Sequence, residues 1–248
     1  MNITKQKLPL ASTLIKSRRH ITKKIYRMAQ QGDSGAQYQV GSSYYGRLAF
    51  VREDELAEKW LRLAALQGHA LAQCKLGCLY LYRDGVISDK AEGIAWLEKA
   101  AKQYVSRAAF LLAKKYLYGL DVPKDHRQCA RWSGQLAREG YADGMLMYGI
   151  LHLNGSGVPK NPSKGFKWIQ KAAKGGFVPA QIGLWKCYEH GDGVSKDPLL
   201  AYVWYRIAAA NGKFANNEAR VRLERKLTSW QLSEAESLKK KIQAQLPN

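Results

Sequence analysis

The sequence predicts an all-α fold: a right-handed α–α superhelix, or solenoid, of five 36-residue helix pairs with capping helices at its ends. Three observations predict it. Tryptophan recurs at a fixed step, at Trp60, Trp96, Trp132, Trp168 and Trp204. Other columns keep that step: Tyr44, Tyr80, Tyr116, His152 and Tyr188; Ala36, Ala72, Ala108, Gly144 and Ala180; Gly41, Gly77, Ala113, Gly149 and Trp185. Short polar residues that start helices recur as well, at Asp89, Asp125, Asn161 and Asp197. A fixed period of this length marks a stacked repeat, because one helix pair cannot bury its own apolar face.

Each repeat reads as two helices. In the first, Ala36, Val40 and Tyr44 stand at i, i+4 and i+8, one stripe of a helix. The small residue beside that stripe lets a neighbouring helix approach closely. Gly155-Ser156-Gly157-Val158-Pro159 and Gly191-Asp192-Gly193-Val194 are turns, with valine anchors also at Val86 and Val122. The second helix starts at the polar column, with Glu53 as the weaker equivalent, since a short side chain there accepts from an orphaned backbone N–H. Pro162 and Pro198 suit the first helical position, and Glu92 and Gln128 are expected to complete capping boxes with Asp89 and Asp125. The paired small residues (Ala64-Ala65, Ala100-Ala101, Leu136-Ala137, Ala172-Ala173, Ala208-Ala209) precede a glycine column of Gly68, Gly140, Gly176 and Gly212, in which Tyr104 is the exception. A left-handed residue ends a helix cheaply there.

The expected division is a basic leading segment (1–20), an N-terminal capping helix (21–35), repeats at 36–71, 72–107, 108–143, 144–179 and 180–215, and C-terminal capping helices (216–248). In the last part, Thr228 and Gln231 offer a capping box, and Lys239, Lys240 and Lys241 read as a solvated helix end.

Among the 248 residues, 46% are hydrophobic and 24% charged, and seven are tryptophan, which excludes general disorder. Formal net charge is +20, from 40 basic and 20 acidic residues. Such a balance favours an acidic protein, nucleic acid or an anionic membrane surface without choosing among them. Cys74, Cys78, Cys129 and Cys187 follow no zinc-ligand spacing and read as buried free thiols, which suits a reducing compartment. No apolar run is long enough to span a membrane, and the patch from Leu8 to Ile15 is too interrupted for a secretory signal. The expectation is a cytoplasmic protein, with organelle targeting by the basic N-terminus as the minor alternative.

The columns Ala-x3-Leu-Gly-x2-Tyr, a Gly-x-Gly-Val turn, an Asp cap and Ala-x2-Trp-x3-Ala-Ala-x2-Gly resemble the SEL-1-like repeat, a relative of the tetratricopeptide repeat. The best copy is Ala72 to Ala108, with Leu76-Gly77, Tyr80, Gly85-Val86, Asp89, Trp96, Ala100 and Ala101. The resemblance covers about residues 21–226. It implies an adaptor that assembles protein complexes, and a bacterial source. This chain departs from the pattern in two places. Arg47-Leu48-Ala49-Phe50-Val51 replaces the first glycine turn, and Trp185 replaces a small residue, which calls for looser packing or a rotated side chain. Some members pair cysteines within each repeat; the cysteines here do not recur that way.

First helices line the concave, binding face of such solenoids. With the Ala36-Val40-Tyr44 stripe inward, positions 42 and 46 and their equivalents lie opposite it. Those columns read Ser42, Cys78, Lys114, Ile150, Lys186 and Gly46, Tyr82, Tyr118, Asn154, His190. The candidate partner-binding residues are therefore Lys75, Tyr82, Lys114, Tyr118, Lys186 and His190, suited to an acidic peptide. The five repeated tryptophans are structural. Packing between repeats competes as the role of Tyr82 and Tyr118, and solubility as that of the lysines. The five histidines share no motif, and no nucleophile elbow, P-loop, dinucleotide fingerprint or HExxH is present, so no enzyme activity, cofactor or metal is expected. Ser237-x-x-Lys240 lacks its companion motifs. The alternative to an adaptor is a basic nucleic-acid-binding protein that makes nonspecific phosphate contacts. Its exposed columns carry no code, and its binding would weaken steeply with salt.

Overall fold

A computed structural model of the chain describes residues 21–45, 51–82, 89–211 and 216–247. The described residues form thirteen helices and no strand. In chain order they are α1 (Lys23–Gln30), α2 (Ser34–Tyr44), α3 (Val51–Leu66), α4 (Ala70–Tyr82), α5 (Lys90–Lys102), α6 (Ser106–Tyr118), α7 (His126–Arg138), α8 (Ala142–Asn154), α9 (Pro162–Lys174), α10 (Val178–His190), α11 (Pro198–Asn211), α12 (Asn217–Glu224) and α13 (Ser229–Gln243). The chain divides into two units, Met1–Leu111 and Leu112–Asn248, with α6 beginning in one and ending in the other.

Local chemistry sets the helix ends. Asp89, Asp125, Asn161 and Asp197 accept from the N–H groups of Glu92 (2.9 Å), Gln128 (3.1 Å), Lys164 (2.9 Å) and Leu200 (2.9 Å). At the other end, the N–H of Gly68 donates to Ala65 and that of His69 to Ala64 (3.0 and 3.1 Å). The same double bond recurs at Tyr104 and Val105, Gly140 and Tyr141, and Gly176 and Phe177. This pattern requires a left-handed residue, and Gly68, Gly140 and Gly176 supply it at φ 88, 93 and 84°. Tyr104 adopts the same conformation at φ 62° despite its side chain.

In the first unit, Trp60 is buried with the Tyr26 ring edge-on at 5.8 Å, so α1 covers the second helix of the first repeat. Gly77 packs on α5 so closely that an added Cβ would lie 2.8 Å from the Gly93 carbonyl and 2.9 Å from Leu97. Side chains close the remaining polar positions. Gln37 donates to the Ala29 carbonyl and Gln73 to that of Ala65, while Gln67 donates to Gln37 and Gln103 to Gln73. These bonds join helix ends to the neighbouring helices, and the Ala29 and Ala65 carbonyls accept them in addition to the backbone N–H groups of Gly32 and Gly68. Tyr80 donates to Glu58 (2.6 Å), and Arg62 bonds Tyr80 and pairs with Glu58 and Glu92.

In the second unit, Phe166, Ile169, Leu184, Trp185, Tyr188, Trp204 and Ile207 share a core with Met145 and, from the last helices, Leu223 and Ala235. Val158 packs beside Cys129, Ala130 and Leu151, and Val194 against the main core. The turns are tight. An added Cβ on Gly193 (φ 76°) would lie 2.1 Å from the Pro162 carbonyl, and one on Gly157 (φ 71°) 2.2 Å from that of His126. Asp121 stands at their position in the preceding repeat with φ 63°, and its carboxylate pairs with the buried ammonium of Lys115. Thr228 and Gln231 form a reciprocal capping box on α13.

Several expectations need correction. Glu53 does not start a helix, because α3 begins two residues earlier at Val51. Glu92 forms only half a box: its carboxylate accepts from Trp96 Nε1 (3.1 Å) and pairs with Arg62. Gln128 also fails to close one, since its Oε1 is buried without a partner. Trp185 does not loosen the packing. It is 2% exposed and its indole lies edge-on to Tyr205 at 6.0 Å, within the shared core of the second unit. Of the structural tryptophans, Trp60, Trp96, Trp132 and Trp204 are buried and Trp168 is half-buried. All four cysteines are buried and free. Residues 1–20, the first turn through Phe50, Gly46, Gly85, Val86 and Gly212 lie outside the described residues.

Candidate binding surface

The first helices present the surface proposed for binding. Their inward stripe is packed: Ala36, Val40 and Tyr44, and equally Ala72, Leu76 and Tyr80, are buried. A residue two or six positions on from the middle of such a stripe points away from it. Accordingly Tyr82 is 54% exposed and Tyr118 62% exposed, and Asn154 and His190 in the same column are exposed too. Lys114, Ile150 and Lys186 are exposed, and Ser42 is half-buried. Cys78 contradicts the column and is buried.

Two of the six candidate residues lie in the first unit and four in the second. In the first unit, Tyr82 ends α4 and Lys75 lies in its second turn, half-buried rather than extended into solvent. The Lys75 ammonium stands over two rings, 5.2 Å from the Tyr38 centroid and 5.5 Å from that of Tyr45. Burial pulls its proton affinity below the usual lysine range, and the Arg107 charge pulls the same way. In the second unit, Lys114 and Tyr118 lie on α6, and Lys186 and His190 on α10. Lys186 stands 5.7 Å over the Trp185 ring. His190 Nε2 is 3.8 Å from the Glu189 carboxylate, and the 4%-exposed Glu189 side chain also receives Arg222 (2.9 Å) and Lys226 (3.3 Å) from α12 and the turn after it. Burial alone would raise the Glu189 pKa, but the hydrogen bonds from Arg222 and Lys226 win and lower it.

A hollow in the first unit was not foreseen. It has a volume of about 340 Å³ and is walled by Tyr38, Tyr45, Leu71, Cys74, Lys75 and Cys78, with Val105 and Arg107 closing one side. Sequence columns contain its signal. Cys74 occupies a column otherwise filled by Tyr38, Phe110, Leu146 and Ile182, and Cys78 one that holds Lys114, Ile150 and Lys186. Two small side chains on consecutive turns of α4 leave space that larger ones would fill. Cys78 is buried and lines that space. His69, at the entry to α4, stacks on Tyr38 (4.7 Å between centroids) and accepts from the Ala72 N–H (3.2 Å), which fixes one wall.

Comparison with known proteins gives these repeats a family. The family model described as Sel1 repeat matches residues 34–69, 70–105, 106–141, 142–177 and 180–213. The first four matches begin at the first residues of α2, α4, α6 and α8. No curated relative matches the chain. Among solved structures, one similar chain is a protective antigen present in uropathogenic Escherichia coli strains, displaying an SLR fold. It is 31% identical with a TM-score of 0.70, and the match covers 88% of this chain and 47% of that one. This chain thus spans about half the antigen's length. A Sel1 repeat protein from Oxalobacter formigenes is 27% identical with a TM-score of 0.69, covering 82% of this chain and 84% of that one.

Proposed function

Because the chain belongs to the Sel1 repeat family, whose members generally mediate protein–protein interaction, we propose that it is a non-catalytic adaptor for an acidic protein or peptide. One observation carries this reading: Tyr82 and Tyr118, one repeat apart, are both more than half exposed on first helices. Packing between repeats would have buried them, whereas large aromatic side chains standing in solvent are what protein interfaces use as anchors. The cations on the same helices favour an acidic partner. Lys75 lies two turns before Tyr82 on α4, and Lys114 precedes Tyr118 by one turn on α6. Lys186 and His190 repeat that spacing on α10.

The five repeats, the end helices and the basic segment 1–20 make up the adaptor in this reading, and the cytoplasm is its compartment. Among the described residues, no helix is long and apolar enough to cross a membrane. The competing nucleic-acid reading rests on the +20 charge, which acts through phosphate contacts and disappears with salt.

Reversing Lys114 and Lys186 together to glutamate tests the proposal. Both side chains are exposed, so circular dichroism should show unchanged helicity while affinity for the captured protein falls roughly tenfold or more, as for loss of two interfacial charges. Undiminished affinity in a folded double variant removes these positions from the interface.

A further inference from the structure

We infer that the hollow between α2, α4 and the start of α6 is a subsite for a carboxylate side chain of an acidic peptide, with an aliphatic neighbour of that residue packed on its tyrosine and leucine wall. The inference rests on the adaptor reading and names where one part of the partner sits.

Its size comes first. At about 340 Å³ the hollow is at the small end of ligand pockets, enough for one or two side chains and too small for a nucleotide cofactor. Its walls are apolar and aromatic: Tyr38, Tyr45, Leu71 and Val105. Its charges are all of one sign. Lys75 and Arg107 both line it, and among the described residues neither has an acidic partner.

The half-buried Lys75 is the telling group. A cation removed from water and placed beside another cation is disfavoured, and two tyrosine faces compensate only in part. An incoming carboxylate would offset both effects, and the planar guanidinium of Arg107 can bind it through two parallel N–H groups. The thiols do not compete for this role. The Cys74 thiol is held protonated by its hydrogen bond with Cys78 and by burial, so the hollow keeps its net positive charge at neutral pH. A phosphate is the poorer occupant, because burying a dianion on apolar walls costs more than burying a carboxylate.

Two fluorescein-labelled peptides test this with the full chain at physiological salt: Gly-Ser-Leu-Glu-Leu-Glu-Leu-Ser-Gly and its copy with glutamine at both glutamates. A third copy carries phosphoserine at the same positions. The expected result is at least roughly tenfold tighter binding of the glutamate peptide than the glutamine peptide. Arg107→Gln and Lys75→Met should each reduce that preference to less than about threefold, while Lys102→Met, at an exposed lysine of the same unit that does not line the hollow, leaves it in place. Lysine side-chain NMR gives a readout that a purely structural role would not move: the Lys75 pKa should rise when the glutamate peptide is bound. Circular dichroism confirms that each variant is folded. Equal affinities for the two peptides, a preference that survives both variants, preference for phosphoserine, or no binding by the wild type each overturns the subsite. The adaptor reading fails separately. If Arg107→Gln captures the wild-type protein partner with full affinity, the adaptor stands and the subsite does not.

Discussion

The first helices of the two units follow one register and fill it differently. In the first unit, α4 carries Cys74 and Cys78 toward Tyr38 and Tyr45, and a hollow with two cations results. In the second, the same columns hold Leu146 and Ile182, then Lys114, Ile150 and Lys186, and these two lysines stand on the outside. The network around Tyr80 in the first unit ties a phenol to Glu58, Arg62 and, through Arg62, Glu92. The matching position in the second unit is His152, buried, with the Tyr148 ring edge-on at 4.6 Å and a 3.4 Å contact with the Pro159 carbonyl. One repeat pattern thus supports a surface that can admit a side chain in one unit and a filled, acid-sensitive core in the other. The repeat fixes where a side chain stands, and its size and charge decide what that place does.

Four substitutions break or sharpen this comparison. Gly193→Ala has the largest expected effect, since it combines a left-handed backbone with a Cβ 2.1 Å from the Pro162 carbonyl. A loss of about 3 kcal/mol or more is expected by thermal unfolding, and a loss below 1 would mean that the turn can move away. Glu189→Gln should cost about 2 kcal/mol, because Arg222 and Lys226 lose a buried charged partner. The Glu189 pKa is depressed in the folded chain, so its contribution is complete at neutral pH and fades as pH falls below about 4.5. The glutamine variant should therefore show a flatter stability profile below that pH.

Cys74→Leu should fill the hollow and gain about 1 kcal/mol while abolishing the preference for the glutamate peptide. Stabilisation with the preference intact would separate the hollow from binding. His152→Tyr restores the residue of its column. The His152 pKa is lowered, by burial foremost, and the Lys164 charge adds to this against the Pro159 carbonyl. Its neutral form therefore stabilises the fold fully above about pH 6.5, and that contribution declines as pH drops below it. In denaturant titrations below about pH 6.5 the tyrosine variant should lose this decline, the smallest of the four effects.

The architecture was legible because its determinants are local and periodic. Capping residues such as Asp89 and Asn161 act within three positions of themselves, and the glycine column ends helices through bonds five positions back. Even Tyr104 fits that rule, because its ring is 73% exposed and only its backbone is strained. Exposure of Tyr82 and Tyr118 likewise followed from helix geometry. What the columns hid was competition among partners. Glu92 has the spacing of a capping box, but Trp96 and Arg62 lie within reach of its carboxylate and take it. Of the two expectations for Trp185, looser packing is the one its burial in the core of the second unit speaks against. The hollow requires residues from α2, α4 and α6 together, and no single column contains it. Lys75 is a candidate binding cation from its place beside the exposed columns. Its neighbours Tyr38, Tyr45 and Arg107 come from other helices, and sequence spacing alone did not join them.

The most direct test of the adaptor is capture by the tagged full chain from its own cell lysate, with and without nuclease, washed at low and moderate salt. Retained proteins are identified by mass spectrometry, and the Lys114→Glu, Lys186→Glu double variant runs in parallel. The account predicts one or a few acidic proteins that survive nuclease and moderate salt and are depleted in the double variant. Loss of all bound material on nuclease or salt treatment would contradict it and assign the binding to the chain's net charge and nucleic acid.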